Sequence, residues 1–349
     1  MLDKNAVILI PSYQPEKTLI NLSRGLSLEG FKVLIVDDGS GEIYQEIFEG
    51  AKQYATVLSY DKNKGKGEAL KYGYKYCLDN LKDYKYVITV DGDGQHRIDD
   101  VVKMYEKISK QNICVIGVRK FDVKVPIKSR IGNMLSKFNQ ALVTNRFMQD
   151  NQCGLRAFPY EILSDMVKIF GSRYEYEMNV LTYLLVKEIP FNCMRVQTIY
   201  ENNNSGTHFR PIQDTLRINS SIILYGLISF FLYVGQAIAT FFIFNNVDLN
   251  LPINLEVSVT ISFVGALLLT VLLKTIIYRP KYPGKLILRI IVYELLKYIA
   301  TLISVTLFVR ILSQNIFLTY FISYVLTLLP RYYLVKGMGL VYDTNINND

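Results

Sequence analysis

From Ile218 to Phe244 the chain carries no Asp, Glu, Lys or Arg. Crossing the hydrocarbon core of a bilayer takes about 20 apolar residues, and uncharged runs of this length are rare inside water-soluble domains. Three further apolar stretches follow at about 257–277, 288–309 and 312–330. The pattern predicts an all-α membrane domain, residues 211–340, made of four transmembrane helices. In front of it lies a mixed, charged half, residues 1–210.

Loop charge sets the orientation. Arg279, Lys281, Lys285 and Arg289 lie between the second and third apolar stretches, and Arg331 and Lys336 follow the fourth. The link Asn245–Glu256 holds only Asp248 and Glu256 as charges. The excess of basic residues in cytoplasmic loops predicts a multi-pass protein of the cell membrane with both termini and the 278–289 loop inside. No signal peptide is expected, because Met1–Lys4 runs directly into the apolar strand Ala6–Ile10. Cys77, Cys114, Cys153 and Cys193 are widely spaced, which suits a reducing compartment and gives no zinc pattern. Glu294 and Lys297 stand three apart inside the third apolar stretch, a spacing that lets them pair on one helix face or line a polar site.

The first half alternates between β-rich and helical segments. Strands at 6–10, 32–36, 56–60, 86–90 and 113–117 are separated by helices near 15–28, 42–53, 67–80 and 98–110. That alternation predicts an α/β, Rossmann-like domain whose sheet is mainly parallel and covered by helices on both faces. Val33-Leu34-Ile35-Val36 is uniformly apolar, as a strand buried on both faces must be. Next comes an amphipathic helix at 128–147, with Ile131, Met134, Leu135, Phe138 and Leu142 on one face and Lys128, Arg130, Lys137, Asn139 and Gln140 on the other. It reads either as a surface helix on the sheet or as a helix lying in the membrane interface. The net charge of +8 is concentrated here, between Arg119 and Lys137. Beside membrane helices, the expected partner of this patch is an anionic lipid or phosphate and not nucleic acid. The oligomeric state is not set by the sequence, and a homo-oligomer is left open.

The chemistry gathers where strands end. Val87-Ile88-Thr89-Val90 stops at Asp91-Gly92-Asp93-Gly94-Gln95-His96. Alternate side chains on extended backbone share a direction, so Asp91 and Asp93 can face one target from the carboxyl edge of a sheet, where open α/β sheets bind ligands. With the Gln95 amide they make a hard oxygen set suited to Mg²⁺ or Mn²⁺. Asp37-Asp38-Gly39-Ser40 ends the second strand and can accept base or ribose hydrogen bonds. Pro11-Ser12-Tyr13 ends the first, with Tyr13 available to pack on a base. Asn63-Lys64-Gly65-Lys66-Gly67 opens a helix with two glycines and two lysines, a combination that suits phosphate through backbone N–H groups and charge. Further on, Asp150 is a candidate general base and Arg156 a structural or phosphate-binding cation. Glu175 and Glu177 follow, and the polar string Asn203–Arg210 stands just ahead of the first apolar stretch.

Taken together, these strings resemble the family-two glycosyltransferases of the GT-A fold. The nearest branch looks like dolichyl-phosphate mannose synthase and the bacterial polyprenyl-phosphate glucosyltransferases. The resemblance rests on Pro11-Ser12-Tyr13, Val36 to Ser40, Gly65-Lys66-Gly67, Asp91 to His96, Gly117-Val118-Arg119, and Asp150 to Arg156, in family order over residues 5–210. The membrane half resembles, by span number and loop charge alone, the GtrA-like four-helix domain often fused to such enzymes.

The resemblance implies a nucleotide sugar donor, first of all UDP-glucose, and a polyprenyl (undecaprenyl) phosphate acceptor, with inversion at the sugar. A lipid-linked sugar for the cell envelope would result. GDP-mannose and UDP-N-acetylglucosamine are the competing donors. Pro11, Tyr13 and Asp38 would hold the base, with Asp37, Lys66 and Asp91 nearby. Asp91, Asp93 and Gln95 would hold the metal. Arg119 and Arg130 would meet phosphate, joined at the acceptor by His208 and Arg210. Asp150 matches the proposed catalytic carboxylate, although a lipid phosphate is already anionic near neutral pH and hardly needs a base. One departure is Gln14-Pro15, where many relatives have Asn-Glu, and Pro15 supplies neither carboxylate nor N–H. Two other readings compete. A processive polysaccharide synthase would carry Gln-x-x-Arg-Trp, and this chain has no Trp. A non-enzymatic lipid-sugar flippase module would have lost its metal ligands, and Asp91, Asp93 and Gln95 are intact.

Overall fold

The computed structural model describes residues 4–119, 127–144, 146–197, 211–247, 253–311 and 315–337. Seven strands form one sheet: β1 (Ala6–Ser12), β2 (Lys32–Asp37), β3 (Thr56–Ser59), β4 (Tyr86–Thr89), β5 (Cys114–Arg119), β6 (Arg156–Pro159) and β7 (Phe191–Val196). Their order is β3-β2-β1-β4-β6-β5-β7. β1 is parallel to β2 and β4, β2 to β3, and β5 to β7, while β6 runs antiparallel to both its neighbours. The five strands and the helices between them stand where the alternation predicts. β6 and β7 are additions that it does not reveal.

Both faces of the sheet are apolar because both are covered. Ile8, Ile10, Val33 and Ile35 pack under α1 (Thr18–Leu28), α2 (Gln45–Ala51) and α4 (Ile98–Gln111). Val7, Leu9, Leu34 and Val36 pack under α3 (Lys66–Asn80), α6 (Leu163–Met166) and α7 (Tyr174–Val186). Each such side chain contributes about 1.5–3 kcal/mol when fully buried. The parallel strands send their carboxyl ends to one edge. Because β6 alone is reversed, its amino end arrives at the same edge and brings the Asp150–Leu155 segment with it.

Beyond the sheet, α5 (Ile127–Thr144) covers most of the expected 128–147 helix. It does not lie on the sheet surface alone. Its Phe138 ring meets Tyr332 at 5.0 Å, and Phe147 just after it meets the same ring at 6.0 Å. Met134 and Leu135 remain exposed.

The second half is helical: α8 (Pro211–Asn246), α9 (Asn254–Tyr278), α10 (Pro283–Ser304) with a π-helical continuation Val305–Ile311, and α11 (Ile316–Gly337). Among the described residues, α9 is long and apolar enough to cross a membrane, and Ile316–Pro330 is a shorter apolar stretch. Four helices stand where the four spans are expected, and among the described residues one of them, α9, meets the length and composition needed on its own. Residues 312–314, the start of the fourth, lie outside the described residues, as do the two ends of the chain. Large apolar side chains such as Phe231, Phe242, Leu268 and Phe321 are more than 60 % exposed (63, 63, 66 and 65 %), an outward surface that calls for an apolar surrounding. Inside, hydroxyls pair: Tyr233 with Thr301 at 2.8 Å, and Thr240 with both Ser262 and Tyr320 at 2.6 Å. Glu294 and Lys297 pair with each other at 2.5 Å, the ammonium lying 5.2 Å from the Tyr233 ring centre.

A buried ionic node joins the two halves. Glu188 follows α7 in the left-handed region at φ 56°, and Ile189 N–H closes back on Leu184 O at 2.9 Å. Glycine is the usual residue there. Here the carboxylate takes Arg146 at 3.3 Å and also Arg289 of α10, and both Glu188 and Arg146 are about 1 % exposed. Lys281 N–H donates to Lys187 O at 2.7 Å, so the α9–α10 turn seats on the end of α7.

A Cβ built on Gly117 of β5 would stand 2.7 Å from Leu155 O and 2.9 Å from Cys153 Sγ. Gly117→Ala is therefore expected to push β5 away from the segment that precedes β6. The expected loss is about 2 kcal/mol, the scale of overpacking, measured by urea unfolding of the detergent-solubilised chain.

Candidate active site

The edge is organised by a buried carboxylate. Asp38 is 2 % exposed. Its oxygens accept from Tyr60 Oη at 2.6 Å, Asn63 Nδ2 at 2.9 Å, Lys64 N–H at 2.8 Å and Gly65 N–H at 2.9 Å. Gly39 beside it has φ 70°, and a Cβ there would meet Asn63 N at 2.5 Å, so the 62–65 loop lies directly on this turn. Asp37 Oδ1 accepts from Ser40 N–H at 2.9 Å, and Ser40 Oγ accepts from Gln14 N–H at 2.8 Å. Pro11 and Ser12 are in register with Val36 and Asp37, and Tyr13 is half-buried beside them. Pro11, Tyr13, Asp37 and Asp38 are thus brought together. The expectation that backbone N–H groups of the 63–67 loop cradle phosphate needs correcting for Lys64 and Gly65, whose amides are already taken by Asp38. What this loop presents is Lys66, the first residue of α3.

Lys66 bridges two carboxylates. Its ammonium is 2.6 Å from Asp91 Oδ1 and 2.7 Å from Glu177 Oε2. Burial alone would lower its pKa, but the charges of Asp91 and Glu177 reverse that and raise it. Asp91 mirrors this: burial would raise its carboxyl, and Lys66 and His96 hold it far below the usual carboxylate range. His96 Nε2 lies 3.2 Å from Asp91 Oδ2. Gly154 lets the carboxylate sit there, because a Cβ would approach Asp91 Oδ2 to 2.3 Å. Asp93 is exposed, and its Oδ1 accepts from Gln95 N–H at 3.1 Å. Lost hydration and then the charge of Asp91 push its carboxyl up. No group of three or more His, Cys, Asp or Glu side chains stands ready for a metal among the described residues.

Asp150, 4 % exposed, faces Arg119 at the end of β5. Arg119 donates through Nε at 2.8 Å, Nη2 at 3.1 Å and its own N–H at 3.1 Å, and Gln152 N–H adds 2.9 Å. Burial would raise the Asp150 carboxyl, but the guanidinium charge and these donors hold it below its ordinary value. Helix α5 touches the same segment: Asn151 Nδ2 donates to Ser136 Oγ at 3.3 Å and Gln140 Oε1 at 3.2 Å, and Lys137 Nζ to Gln149 O at 3.3 Å. Arg156 is structural. It is 3 % exposed and donates to Cys153 O at 2.8 Å and Glu177 O at 2.7 Å. Glu175 accepts from Ser172 and Arg173 N–H at the start of α7, so of the two glutamates only Glu177 enters the site. The four cysteines are buried free thiols, and burial pushes Cys77, Cys114 and Cys153 up to about 12, out of nucleophilic range. Arg130 stands in the first turn of α5. Its side chain, like His208 and Arg210, lies outside the described residues.

Residues 7–167, the stretch that covers β1 to β6 with Asp38, Asp91, Asp93 and Asp150 but not Glu177, match glycosyl transferase family 2. An uncharacterized protein of Methanocaldococcus jannaschii is 32 % identical over 63 % of this chain and 90 % of its own length. The chain belongs to glycosyl transferase family 2. It is a glycosyltransferase, as the motifs predict. Two named relatives are more distant. The UDP-N-acetylglucosamine–dolichyl-phosphate N-acetylglucosaminyltransferase of Methanococcus voltae is 29 % identical over 57 % of this chain and 88 % of its own length. The dolichyl-phosphate β-glucosyltransferase of Saccharomyces cerevisiae is 24 % identical over 54 % of this chain and 66 % of its own length.

Glu177 and Tyr60 have no role in the sequence analysis, and His96 and Asn63 enter it only as members of longer strings. One signal for Glu177 is visible in retrospect: it is a carboxylate among the apolar Tyr176, Met178, Val180 and Leu181, where a charge is costly without a partner.

Removing Arg119 leaves Asp150 buried and unpaired. In the parent chain the depressed carboxyl contributes stability above the unfolded carboxylate range, lost only as pH falls through the folded value. In Arg119→Met, burial acts unopposed by the guanidinium and raises the carboxyl, so the deficit shrinks as pH falls through that raised value. The expected deficit is about 3 kcal/mol at pH 7 and smaller at pH 5, read from urea unfolding at both.

Proposed function

We propose that this glycosyltransferase transfers a hexose from a nucleotide sugar to the phosphate of a polyprenyl lipid at the cytoplasmic face of the membrane. One observation carries the reading. The charged edge is joined through Asn151, Ser136 and Lys137 to α5, and α5 in turn packs on the end of α11. A site that handles diphosphate is thereby set beside helices with an apolar outer surface. The basic α9–α10 turn also seats on the end of α7, which supports placing the catalytic half, the 1–210 domain, on the same side as that turn.

The residues present fit a divalent cation. Asp91, Asp93 and Gln95 offer only hard oxygen donors from one strand end, and Lys66 already marks Asp91 as a place for a cation. Mg²⁺ or Mn²⁺, when bound, supplies neutralisation of the diphosphate leaving group. Lys66 adds a point charge to the same oxygens. Arg119 presents a planar guanidinium, oriented by Asp150, to phosphate. Asp150 acts by holding Arg119 and not by taking a proton, since its oxygens are filled by four donors and the acceptor phosphate is already an anion. Pro11, Tyr13 and Asp37 hold the base, whereas Asp38, expected there too, is buried with its oxygens taken and holds the loop that carries Lys66. In-line attack by the lipid phosphate gives an inverted sugar.

The names of both distant relatives carry a dolichyl-phosphate acceptor, which supports the lipid phosphate. Those names differ in the sugar, N-acetylglucosamine in one and glucose in the other. UDP-glucose remains our first choice of donor, with UDP-N-acetylglucosamine and GDP-mannose as competitors. The four helices α8 to α11 are read as a GtrA-like membrane domain.

Membranes containing the chain, given undecaprenyl phosphate and radiolabelled sugar nucleotides, should release label into organic solvent from UDP-glucose. Label from UDP-N-acetylglucosamine or GDP-mannose alone would reassign the donor, and none from any would refute the lipid acceptor. Asp93→Ala or EDTA should lower transfer by at least about 100-fold, the scale of losing a group that stabilises developing charge. A second outcome concerns the acceptor. Arg130→Lys should impair transfer at limiting polyprenyl phosphate while nucleotide affinity is kept, because lysine cannot hold phosphate bidentately. Parental rates in both Arg130→Lys and Arg130→Ala would remove Arg130 from the acceptor site.

A further inference from the structure

The ammonium of Lys66 stands in the acid pocket that the proposed reading gives to a divalent cation. It is 2.6 Å from Asp91 Oδ1 and 2.7 Å from Glu177 Oε2. The three side chains are 20, 26 and 14 % exposed, open enough to meet a ligand and not sealed in the core. The backbone on either side of Lys66 and the elements that carry its two partners are held by close contacts, and its own stem is the flexible part. Its backbone is clamped, since a Cβ on Gly65 would meet Ser172 O at 2.6 Å and one on Gly67 would meet Ser172 C at 2.8 Å. Asp91 is braced by His96 and by close contact with Gly154. Glu177 is held in the first turn of α7, with its carbonyl bonded to the buried Arg156. A four-carbon stem with a compact charge at its end is the element built to move.

The geometry points to Lys66 as an internal counter-cation that makes metal binding conditional on the nucleotide, with Glu177 as the positioning residue on which it pivots. Without nucleotide, the ammonium neutralises Asp91 and Glu177 together. A divalent ion arriving alone at Asp91 meets a like charge within a few ångströms and must displace it with no anion to receive it. A nucleoside diphosphate changes this. It brings negative oxygens to which Lys66 can turn while keeping its contact with Glu177, and Asp91 is released to face the metal. Metal and nucleotide then bind with positive coupling, and the same factor must appear whichever is varied. The site is thereby guarded against free cations, and the carboxylate pair is never left without a counter-charge.

This inference rests on the metal and nucleotide reading above, and the experiment separates the two. Binding of Mn²⁺ to the full detergent-solubilised chain is read from the paramagnetic resonance signal of free Mn²⁺, at one pH, with and without UDP or GDP. The parent should bind Mn²⁺ weakly alone and more tightly with nucleotide. Lys66→Met should bind Mn²⁺ alone about tenfold more tightly than the parent, and the enhancement by nucleotide should shrink by a similar factor. Lys66→Gln serves as a second neutral variant if Lys66→Met does not fold. Glu177→Gln keeps the lysine but takes away its pivot, so Mn²⁺ alone should bind no more tightly than in the parent, and nucleotide affinity should fall. If Asp93→Ala loses Mn²⁺ binding while the Lys66 variants bind Mn²⁺ alone no more tightly than the parent, the counter-cation role is wrong and the metal site stands. Tightening in Glu177→Gln equal to that in Lys66→Met also overturns the pivot. If Asp93→Ala binds Mn²⁺ as the parent does, the metal reading itself fails, and this inference with it.

Discussion

Asp38 is the constraint on which the site depends. A buried carboxylate is costly unless its lone pairs are filled, and this one, just past the end of β2, is filled by Tyr60 after β3 and by Asn63, Lys64 and Gly65 of the loop that starts α3. Satisfying one charge thus fixes three separate segments. The location of Lys66 follows from that, because the loop cannot move without uncovering Asp38. The bridge from Lys66 to Asp91 and Glu177 then ties the strand edge to α7. The edge is a chain of satisfied charges, each one placing the next, with Asp93, Gln95 and part of Arg119 facing outward.

Much of this was legible in the residues. Uniformly apolar strands and the helices between them are read from period and composition, and β1 to β5 lie within a few residues of their expected places. The family strings also marked the right edge. What could not be read is long-range. β6 is a four-residue strand, Arg156–Pro159, and nothing local announces that it inserts antiparallel between β4 and β5. Without that reversal, Asp150 cannot be placed opposite Arg119. The partners of Asp38 were hidden for a similar reason: Asp-Gly-Ser has the composition of an ordinary turn, and only the fold shows that it is buried under the next loop. Residue type alone allows Arg156 a structural or a phosphate-binding role, and its burial decides for the structural one.

The helical half was legible as helices and less so as a set of spans. Hydropathy saw the apolar outer faces, and those faces are exposed. It did not see the hydroxyl and ionic pairs inside, which lower the apolarity of α10 in particular while giving the helices specific contacts with each other. Periodicity alone does not distinguish a surface helix from an interfacial one for α5. The helix is anchored on both sides, by polar bonds from Asn151 to Ser136 and Gln140 and by the Tyr332 ring against Phe138.

The node at Glu188 bears on the order in which the protein is made. Chains emerge amino end first, and domains generally fold as units during synthesis. Residues 1–210 carry the whole sheet, and with it Arg146 and Glu188, before Arg289 exists. Until then the carboxylate has one arginine and an open side where the α9–α10 turn will dock. The second arginine of this node is therefore supplied by the helical hairpin. Completion of the enzyme's fold is tied to the arrival of that hairpin, so a chain that fails to place its helices also fails to finish its active domain.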